Sequence, residues 1–266
     1  MFRCWGGPYT GCASPSFLPI SFFIQFSNRI SVSTSDANIP SNYSRLIARE
    51  LGLSSRQLPE LLAGTGLTVD AFLDEGCRLT AADQVTILEN ALRISDEPGF
   101  GLRTGKRLTP LSHGAMGFMA YSSPNLSVAM QAIQTFVPTR LSFARIDIRE
   151  SKDQLVCEVR FEYPISDGVY RCLCETLAGM FCSISEIIVG RPLEEVVFTF
   201  PYAAPDYQSH YTEYLTGRAH FGARQMAVSI PLSVARIANT AANHENYLIA
   251  KQQCEAMLAD VQDLSL

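Results

Sequence analysis

The sequence lacks the motifs that mark most metal sites and most nucleotide-dependent enzymes. Its eight cysteines form no CxxC pair and have no histidine at zinc-ligand spacing. The histidines, His113, His210, His220 and His244, are scattered and form neither HxH nor HExxH. No GxSxG, P-loop or GxGxxG motif occurs. We therefore predict no metal, no cofactor and no enzymatic activity, while an active site without a recognisable motif stays open as an alternative.

An excess of positive charge and a long apolar run are also missing. Lys and Arg number 21 against 26 Asp and Glu, the net charge is −5, and no stretch concentrates the basic residues. Proteins that bind nucleic acid usually carry a basic patch, because phosphate contacts supply much of their affinity. We therefore expect no direct contact between this chain and DNA. No apolar run reaches the roughly 18 residues of a membrane helix, so we also expect no membrane association.

The cysteines and the N-terminal region bear on the compartment. Cys157 falls on the apolar face of a predicted strand and Cys182 in an apolar helix, which is typical of buried reduced thiols. A chain of 266 residues needs no disulfide framework, so we predict a cytoplasmic protein. Residues 1–43 are rich in Gly, Pro, Ser and Asn. We interpret them as a disordered leader or an upstream extension, with only a weak resemblance to a signal peptide.

Residues 44–137 have the pattern of several helices. Thr80 and Asp83 have the spacing of a capping box before a helix over 81–94. Asn125 can cap the next helix, and a stripe of apolar residues follows it at helical spacing: Leu126, Ala129, Met130, Ile133, Phe136 and Val137. Residues 47–58 mimic a helix-turn-helix but contain few basic residues, so we interpret them as a helical hairpin.

The period then changes from helical to alternating. Residues 155–163 alternate apolar and charged side chains, which predicts a half-buried strand that pairs antiparallel with residues 141–149. Further strands are predicted over 196–200 and 221–230, and a long helix over 168–189 is expected to end at Gly190. The predicted class is α+β: N-terminal helices, then a mainly antiparallel four-stranded sheet with helices packed on it.

Mixed methionine and aromatic side chains suggest a ligand pocket. Such side chains adapt to small apolar or amphipathic ligands, although the same residues would equally suit a plain core. Arg140 could supply a counter-charge for a carboxylate, and a surface ion pair is the alternative reading. The predicted ligand-binding residues are His113, Met116, Phe118, Met119, Tyr121, Met130, Phe136, Arg140, Phe161 and Tyr163.

Several stretches in a fixed order resemble the N-terminal sensor domain of AraC-type transcription regulators, the arabinose-binding-like domain. They are EPGFGLR at 97–103, GAMGFMAYSSPNLSVAM at 114–130, and the segments 198–205, 220–223 and 228–232. The resemblance covers about residues 46–260. It implies a domain that binds a small metabolite and relays the binding to a DNA-binding module.

The resemblance also implies a division of the chain. We expect a ligand-sensing domain over 44–240 and a linker or dimerisation helix over 241–266, and hence a homodimer through the C-terminal helix. The helix-turn-helix half that such a sensor would precede does not occur in this sequence, so DNA would be bound only through that missing module. The alternative is an interaction protein that dimerises with full-length regulators. The effector could be an amino acid, a sugar, a fatty acid or an aromatic acid.

Overall fold

A computed structural model describes residues 37–263. Its helices are α1 (Asn42–Glu50), α2 (Leu58–Leu61), α3 (Val69–Leu73), α4 (Ala81–Ser95), α5 (Phe100–Arg107), α6 (Gly114–Ser122), α7 (Leu126–Phe136), α8 (Asp167–Val189), α9 (Tyr211–Tyr214), α10 (Leu232–Ala235) and α11 (His244–Asp263). Its strands are β1 (Ile39–Pro40), β2 (Arg78–Leu79), β3 (Ala144–Glu150), β4 (Gln154–Phe161), β5 (Val197–Phe200), β6 (Arg218–Phe221) and β7 (Met226–Pro231). Single 3-10 turns span Pro110–His113, Val137–Thr139 and Gln208–His210. The predicted leader, residues 1–43, lies mostly outside the described residues.

Local capping signals fix several helix starts. The Thr80 hydroxyl accepts a hydrogen bond from the Asp83 amide, and the Asp83 carboxylate accepts one from the Thr80 amide, so the predicted capping box is confirmed. Asn125 Oδ1 accepts from the Val128 amide at 3.0 Å and caps α7 as predicted. Gly190 ends α8 with a φ of +81°, which glycine adopts without strain.

The main sheet has five strands in the order β3-β4-β7-β5-β6, so the predicted four-stranded sheet is wrong in detail. The neighbouring pairs are antiparallel except β5 and β6, which run parallel. The predicted strand over 221–230 is two strands, because the chain turns at Gly222 with a φ of +74°. A separate two-stranded sheet pairs β1 with β2. The architecture is therefore mixed α and β, as predicted at the level of class.

The side chains form two hydrophobic cores that share α8. The first joins α6, α7 and α11 to the inner face of the sheet, where Leu155, Cys157 and Val159 of β4 are buried in the predicted alternation. Burial raises the pKa of the Cys157 thiol to about 12, so this thiol stays protonated. The second core joins α1, α2, α3 and α4 to the start of α8.

Helix α8 has the length and mean hydropathy of a membrane span, which the sequence reading did not anticipate. The most apolar 18-residue window of α8 is 67% buried within the protein, and its side chains contribute to both cores. Length and composition alone are weak evidence for a membrane helix, because the core helix of a globular domain has the same properties. We therefore describe α8 as the central core helix of this fold.

Helices α5 and α8 cross at a distance that excludes side chains. A Cβ atom placed on Gly105 would lie 2.3 Å from the carbonyl oxygen of Thr176, and one on Gly101 would lie 2.5 Å from that of Cys172. Real Cβ atoms do not approach backbone oxygens so closely, so both positions require glycine. The backbone-to-backbone contact fixes how the two cores are joined through α8.

We predict that Gly105→Ala destabilises the protein by about 1–3 kcal/mol, because the added methyl group must push two helix backbones apart. The measurement is denaturant unfolding followed by circular dichroism. Gly168→Ala is the control, since a Cβ there would lie 3.7 Å from Leu92 Cδ1, an ordinary contact distance. If the two variants unfold at the same denaturant concentration, the crossing of α5 and α8 does not require glycine at position 105.

Candidate functional site

The structure does not gather the ten predicted ligand-binding residues into one pocket. Met116, Met119, Met130 and Phe136 are at most 6% exposed and pack in the first core. Phe118 and Tyr121, in contrast, lie on the outer side of α6, each with 37% of its surface exposed. The methionine and phenylalanine side chains thus follow the plain-core alternative, and the outer pair belongs to a surface.

The two aromatic residues predicted from β4 and the segment after it lie on the side of the second core. Phe161 is partly buried and packs against both cores. Tyr163 packs on the second core, with its ring centroid 6.0 Å from that of Phe143. These two residues therefore border the junction between the cores.

Two predicted polar residues do meet, at the hydroxyl of Tyr43. His113 Nδ1 lies 2.7 Å from this hydroxyl, and Arg140 Nε donates to it at 3.4 Å. The Arg140 guanidinium also stacks over the Tyr43 ring, with Cζ 5.2 Å from the centroid. Arg140 Nη2 donates to Asn42 Oδ1 at 3.0 Å, and Asn42 Nδ2 donates to the carbonyl of Ser112 at 2.9 Å. We call Asn42, Tyr43, His113 and Arg140 the Tyr43 network.

Three parts of the fold bring the Tyr43 network together. Asn42 and Tyr43 form the first turn of α1, His113 ends the 3-10 turn before α6, and Arg140 follows the turn over Val137–Thr139. Gly114 lies beside the arginine with a φ of +58°, which glycine adopts without strain, and a Cβ on it would make an ordinary contact of 3.6 Å with Arg140 Nη1. The network thus ties α1, which packs in the second core, to elements of the first core.

Hydrogen-bond roles in the Tyr43 network follow from its chemistry. A guanidinium only donates, so the Tyr43 hydroxyl accepts from Arg140 and can use its own proton toward His113 Nδ1. With Nδ1 as the acceptor, the proton of the neutral imidazole is on Nε2. Nε2 is buried and has no hydrogen-bond partner within residues 37–263. The site therefore contains a buried N–H donor that lacks an acceptor, which costs about 1–3 kcal/mol.

The electrostatics of the Tyr43 network favour an anion. Burial and, to a smaller extent, the positive charge of Arg140 lower the pKa of His113 from 6.5 to about 4. Arg140 is 8% exposed and pairs with no carboxylate among the described residues. A buried guanidinium is normally paired, because its desolvation is costly. The network therefore holds a positive charge and a free donor with no negative charge beside them.

Tyr43 and Asn42 were missed in the sequence because they fall at the boundary assigned to the leader. Asn42 could have been noticed as a helix-starting residue, but its partners are Ser112, 70 residues away, and Arg140, 98 residues away. Glu175 was also missed. It is a buried carboxylate in the middle of α8, where it accepts hydrogen bonds from Tyr207 and Tyr211.

Two surface grooves lie elsewhere on the protein. One, of about 380 Å³, lies between α1, α2 and α3 and includes Arg45, Arg49 and Phe72 in its lining. The other, of about 420 Å³, lies near the end of α8 and includes Lys106 and Glu186. Neither groove is lined by a predicted ligand-binding residue. The segment 47–58, whose sequence resembles a helix-turn-helix, has no recognition helix, because α2 has only four residues.

Comparison with known proteins decides the family. Residues 56–237 match the model of the arabinose-binding domain of AraC transcription regulators, N-terminal. This chain belongs to that family. It is 30% identical over 190 residues to the ornithine utilization regulator of Pseudomonas aeruginosa PAO1, which is 70% of this chain and 55% of that protein. This sensor domain therefore spans about half the length of the curated relative that it matches, and the predicted family is confirmed.

A solved structure supports the fold of the sensor domain. The transcriptional regulator CdpR from Pseudomonas aeruginosa superposes with a TM-score of 0.55 and 13% sequence identity. The match covers 81% of this chain and 65% of that chain. At this identity the likeness concerns the fold alone.

We predict that His113 makes the stability of the sensor domain depend on pH. Its folded pKa of about 4 lies below the unfolded value of 6.5, so the unfolded chain binds this proton first. The stabilising contribution is complete above pH 6.5 and is lost as the pH falls toward 4, by about 3 kcal/mol in total. Denaturant unfolding at several pH values between 7 and 4 should show this loss in the wild type and a flatter profile in His113→Gln.

His220→Gln is the matched control, because it also removes an imidazole, and His220 is exposed on β6. Its stability profile should parallel that of the wild type. Parallel profiles for wild type and His113→Gln would contradict the assignment of a neutral buried imidazole at position 113.

Proposed function

We propose that this sensor domain binds a small-molecule effector that carries a carboxylate, and that the carboxylate binds at Arg140 and His113. The observation that carries the proposal is the buried Arg140, which has no carboxylate partner among residues 37–263 and shares the Tyr43 hydroxyl with His113, whose Nε2 has no acceptor there. A carboxylate can accept from both groups at once. Charge-assisted hydrogen bonds of this kind are the strong ones in proteins.

Energetics support a ligand in preference to a purely structural role. A bound carboxylate would give an acceptor to His113 Nε2, which has no hydrogen-bond partner among the described residues. It would also give Arg140 a counter-charge, beside the neutral partners Tyr43 and Asn42 that this guanidinium already has. A buried charge-assisted hydrogen bond contributes about 1.5–3 kcal/mol. Two such bonds together would contribute about 3–6 kcal/mol to the binding of a small carboxylate.

The position of the Tyr43 network suggests how binding would be relayed. The turn over Val137–Thr139, next to Arg140, contacts α11, and α6 packs along the same helix. The charge of Arg140 acts on the pKa of Cys254 in α11, which burial raises and Arg140 lowers. An effector that pulls on Arg140 would therefore favour one of two placements of α11. In the whole regulator, DNA would be contacted by a helix-turn-helix module outside these residues.

The effector class follows from the same chemistry. The relative from Pseudomonas aeruginosa is named an ornithine utilization regulator, and ornithine is an amino acid with an α-carboxylate. Ornithine is therefore the first compound to test, beside a medium-chain fatty acid and an aromatic acid.

The free cysteines of the described residues agree with a reducing cytoplasm as the compartment.

We predict that carboxylates raise the melting temperature of the domain and that their uncharged amides do not. Binding to the folded state alone stabilises it in proportion to the logarithm of ligand concentration. Arg140→Lys should weaken binding at least about 10-fold, since lysine keeps the charge but loses the planar two-point contact. Thermal shift confirmed by calorimetric titration is the measurement.

The control for this prediction is Arg149→Lys on the exposed part of β3, where Arg149 pairs with Glu158. Its affinity should equal that of the wild type. Equal stabilisation by an acid and its amide would refute a carboxylate site.

We also propose that the domain forms a homodimer through α11. Tyr247, Ala250 and Cys254 of this helix are buried within the domain, whereas Leu248 and Ile249 are 44% and 47% exposed. Phe118 and Tyr121 on α6, which packs against α11, expose apolar surface as well. Apolar side chains of this size in adjacent exposed positions are typical of a protein interface.

We expect the double variant Leu248→Glu, Ile249→Glu to convert a dimer into a monomer, because the buried glutamates of one protomer would face those of its partner across the two-fold axis. Light scattering gives the mass of each species. Gln252→Glu with Gln253→Glu is the control, as it adds the same charge to exposed positions of the same helix. A wild-type protein that is monomeric at all concentrations would disprove the proposal.

A further inference from the structure

A second buried polar cluster surrounds Glu175 and is separate from the Tyr43 network. Glu175 lies in the middle of α8 and is 2% exposed. Its Oε1 atom accepts hydrogen bonds from Tyr211 at 2.7 Å and from Tyr207 at 2.8 Å. Burial raises the pKa of Glu175, and the two tyrosine hydroxyls and Arg171 oppose this rise. A sensor core does not need a carboxylate at this position, so the group calls for a chemical reason.

Aromatic rings enclose the carboxylate. The Tyr211 ring meets that of Phe221 edge-on at 5.0 Å and stacks with that of Tyr207 at 6.3 Å between centroids. The Tyr202 hydroxyl lies 3.2 Å from that of Tyr211. A carboxylate walled by aromatic rings and phenol groups is the type of environment that recognises an organic ammonium group.

The only cation at this cluster among the described residues is Arg171, and it does not pair with Glu175. The two residues lie one turn apart on α8, the usual spacing of a helical ion pair, yet Arg171 forms no salt bridge in residues 37–263. Its guanidinium instead lies over the Tyr202 ring, with Cζ 5.5 Å from the centroid. Its Nε atom is buried and has no hydrogen-bond partner in the part of the chain that the structure describes.

Tyr207 separates the two charges. Its hydroxyl donates to Glu175, and Arg171 acts on the same hydroxyl as a hydrogen-bonding and charged neighbour. The result is a negative group and a positive group held apart by one phenol. This order of charges matches an α-amino acid, whose ammonium and carboxylate are separated by a single carbon atom.

The cluster is close to solvent on one side. Tyr202, Tyr207 and Arg171 are partly exposed, and Ala203, Ala204 and Asp206 in the adjoining loop are exposed. A ligand would therefore approach from the side of Arg171 and Tyr207, and these side chains would have to move to expose Glu175.

We propose that this cluster is a second ligand site that binds an α-amino acid, with the ammonium at Glu175 and the carboxylate at Arg171. The ammonium would replace the Tyr207 hydroxyl as a donor to Glu175, and the carboxylate would satisfy Arg171 Nε. The site is distinct from Arg140 and His113, so this proposal and the proposed function can fail independently.

The test uses three compounds that differ by one group: norvaline, its decarboxylated form butylamine, and its deaminated form valerate. Calorimetric titration and thermal shift on the full chain should give norvaline an affinity at least about 10-fold higher than either partial compound. Glu175→Gln should remove this preference. Glu186→Gln is the matched control, since Glu186 is a partly buried glutamate of the same helix that already pairs with Lys106.

Tyr207→Phe provides a second variant if Glu175→Gln does not fold. Loss of the separating hydroxyl should let Arg171 pair directly with Glu175, so the affinity for norvaline should fall about 10-fold or more. Unchanged norvaline binding in a folded Glu175→Gln protein, or in Tyr207→Phe, overturns the proposal, as does the absence of saturable norvaline binding to the wild type. Norvaline binding lost in Arg140→Lys but kept in Glu175→Gln also overturns it, although the proposed function would then stand.

Discussion

Helix α8 is the element on which the rest of this structure depends, because both hydrophobic cores are built on it. Its first turns supply Val169, Cys172 and Leu173 to the second core, and its later turns supply Phe181 and Ile184 to the first. The crossing with α5 allows no Cβ atom at Gly101 or Gly105. Close-packed backbones cannot slide without breaking many contacts at once. The geometry at this crossing therefore constrains where every other element can sit.

Given a rigid α8, the Tyr43 network becomes the adjustable connection between the two cores. Tyr43 comes from α1 in the second core, and His113 and Arg140 come from segments beside the first. Polar contacts at a junction can be exchanged for ligand contacts at lower cost than packed apolar ones, since only hydrogen bonds have to be replaced. If the effector binds at Arg140 and His113 as proposed, a change in these polar contacts would be passed from one core to the other at this junction.

Sequence reasoning reached the local features and missed the distant ones. The capping box at Thr80, the cap at Asn125, the alternation along β4 and the end of α8 at Gly190 follow from a few neighbouring residues each, and all are confirmed. The fifth strand was missed because the chain turns at Gly222, which divides the predicted strand over 221–230 into the end of β6 and most of β7. Periodicity reports which face of an element is apolar and gives no register between elements.

The predicted site shows the same limit. Met116, Met119, Met130 and Phe136 share a helical stripe that indicates burial, and burial is what the structure has. The same stripe cannot separate a core from a pocket, because both need apolar side chains on the inner face. His113 and Arg140 were identified from their chemistry, yet the atom that joins them belongs to Tyr43, 97 residues before Arg140. Glu175 gave no signal in the sequence, because a single polar residue in a mainly apolar helix commonly lies on the solvent-facing side of that helix.

The two buried polar clusters differ in what they lack, and this difference is the strongest argument that they are sites. Among the described residues His113 Nε2 has no acceptor and Arg140 has no carboxylate partner, whereas at Glu175 and Arg171 both charges are present but kept apart. Buried polar groups that serve stability alone are normally satisfied, because an unsatisfied group costs about as much as a hydrogen bond contributes. The buried hydroxyls of Thr104 and Ser185 also have no partner among the described residues, but they are neutral, and a buried charge without a counter-charge is far more costly. The missing carboxylate partner at one cluster and the separated charges at the other are therefore the observations that support the two proposed sites for charged ligands.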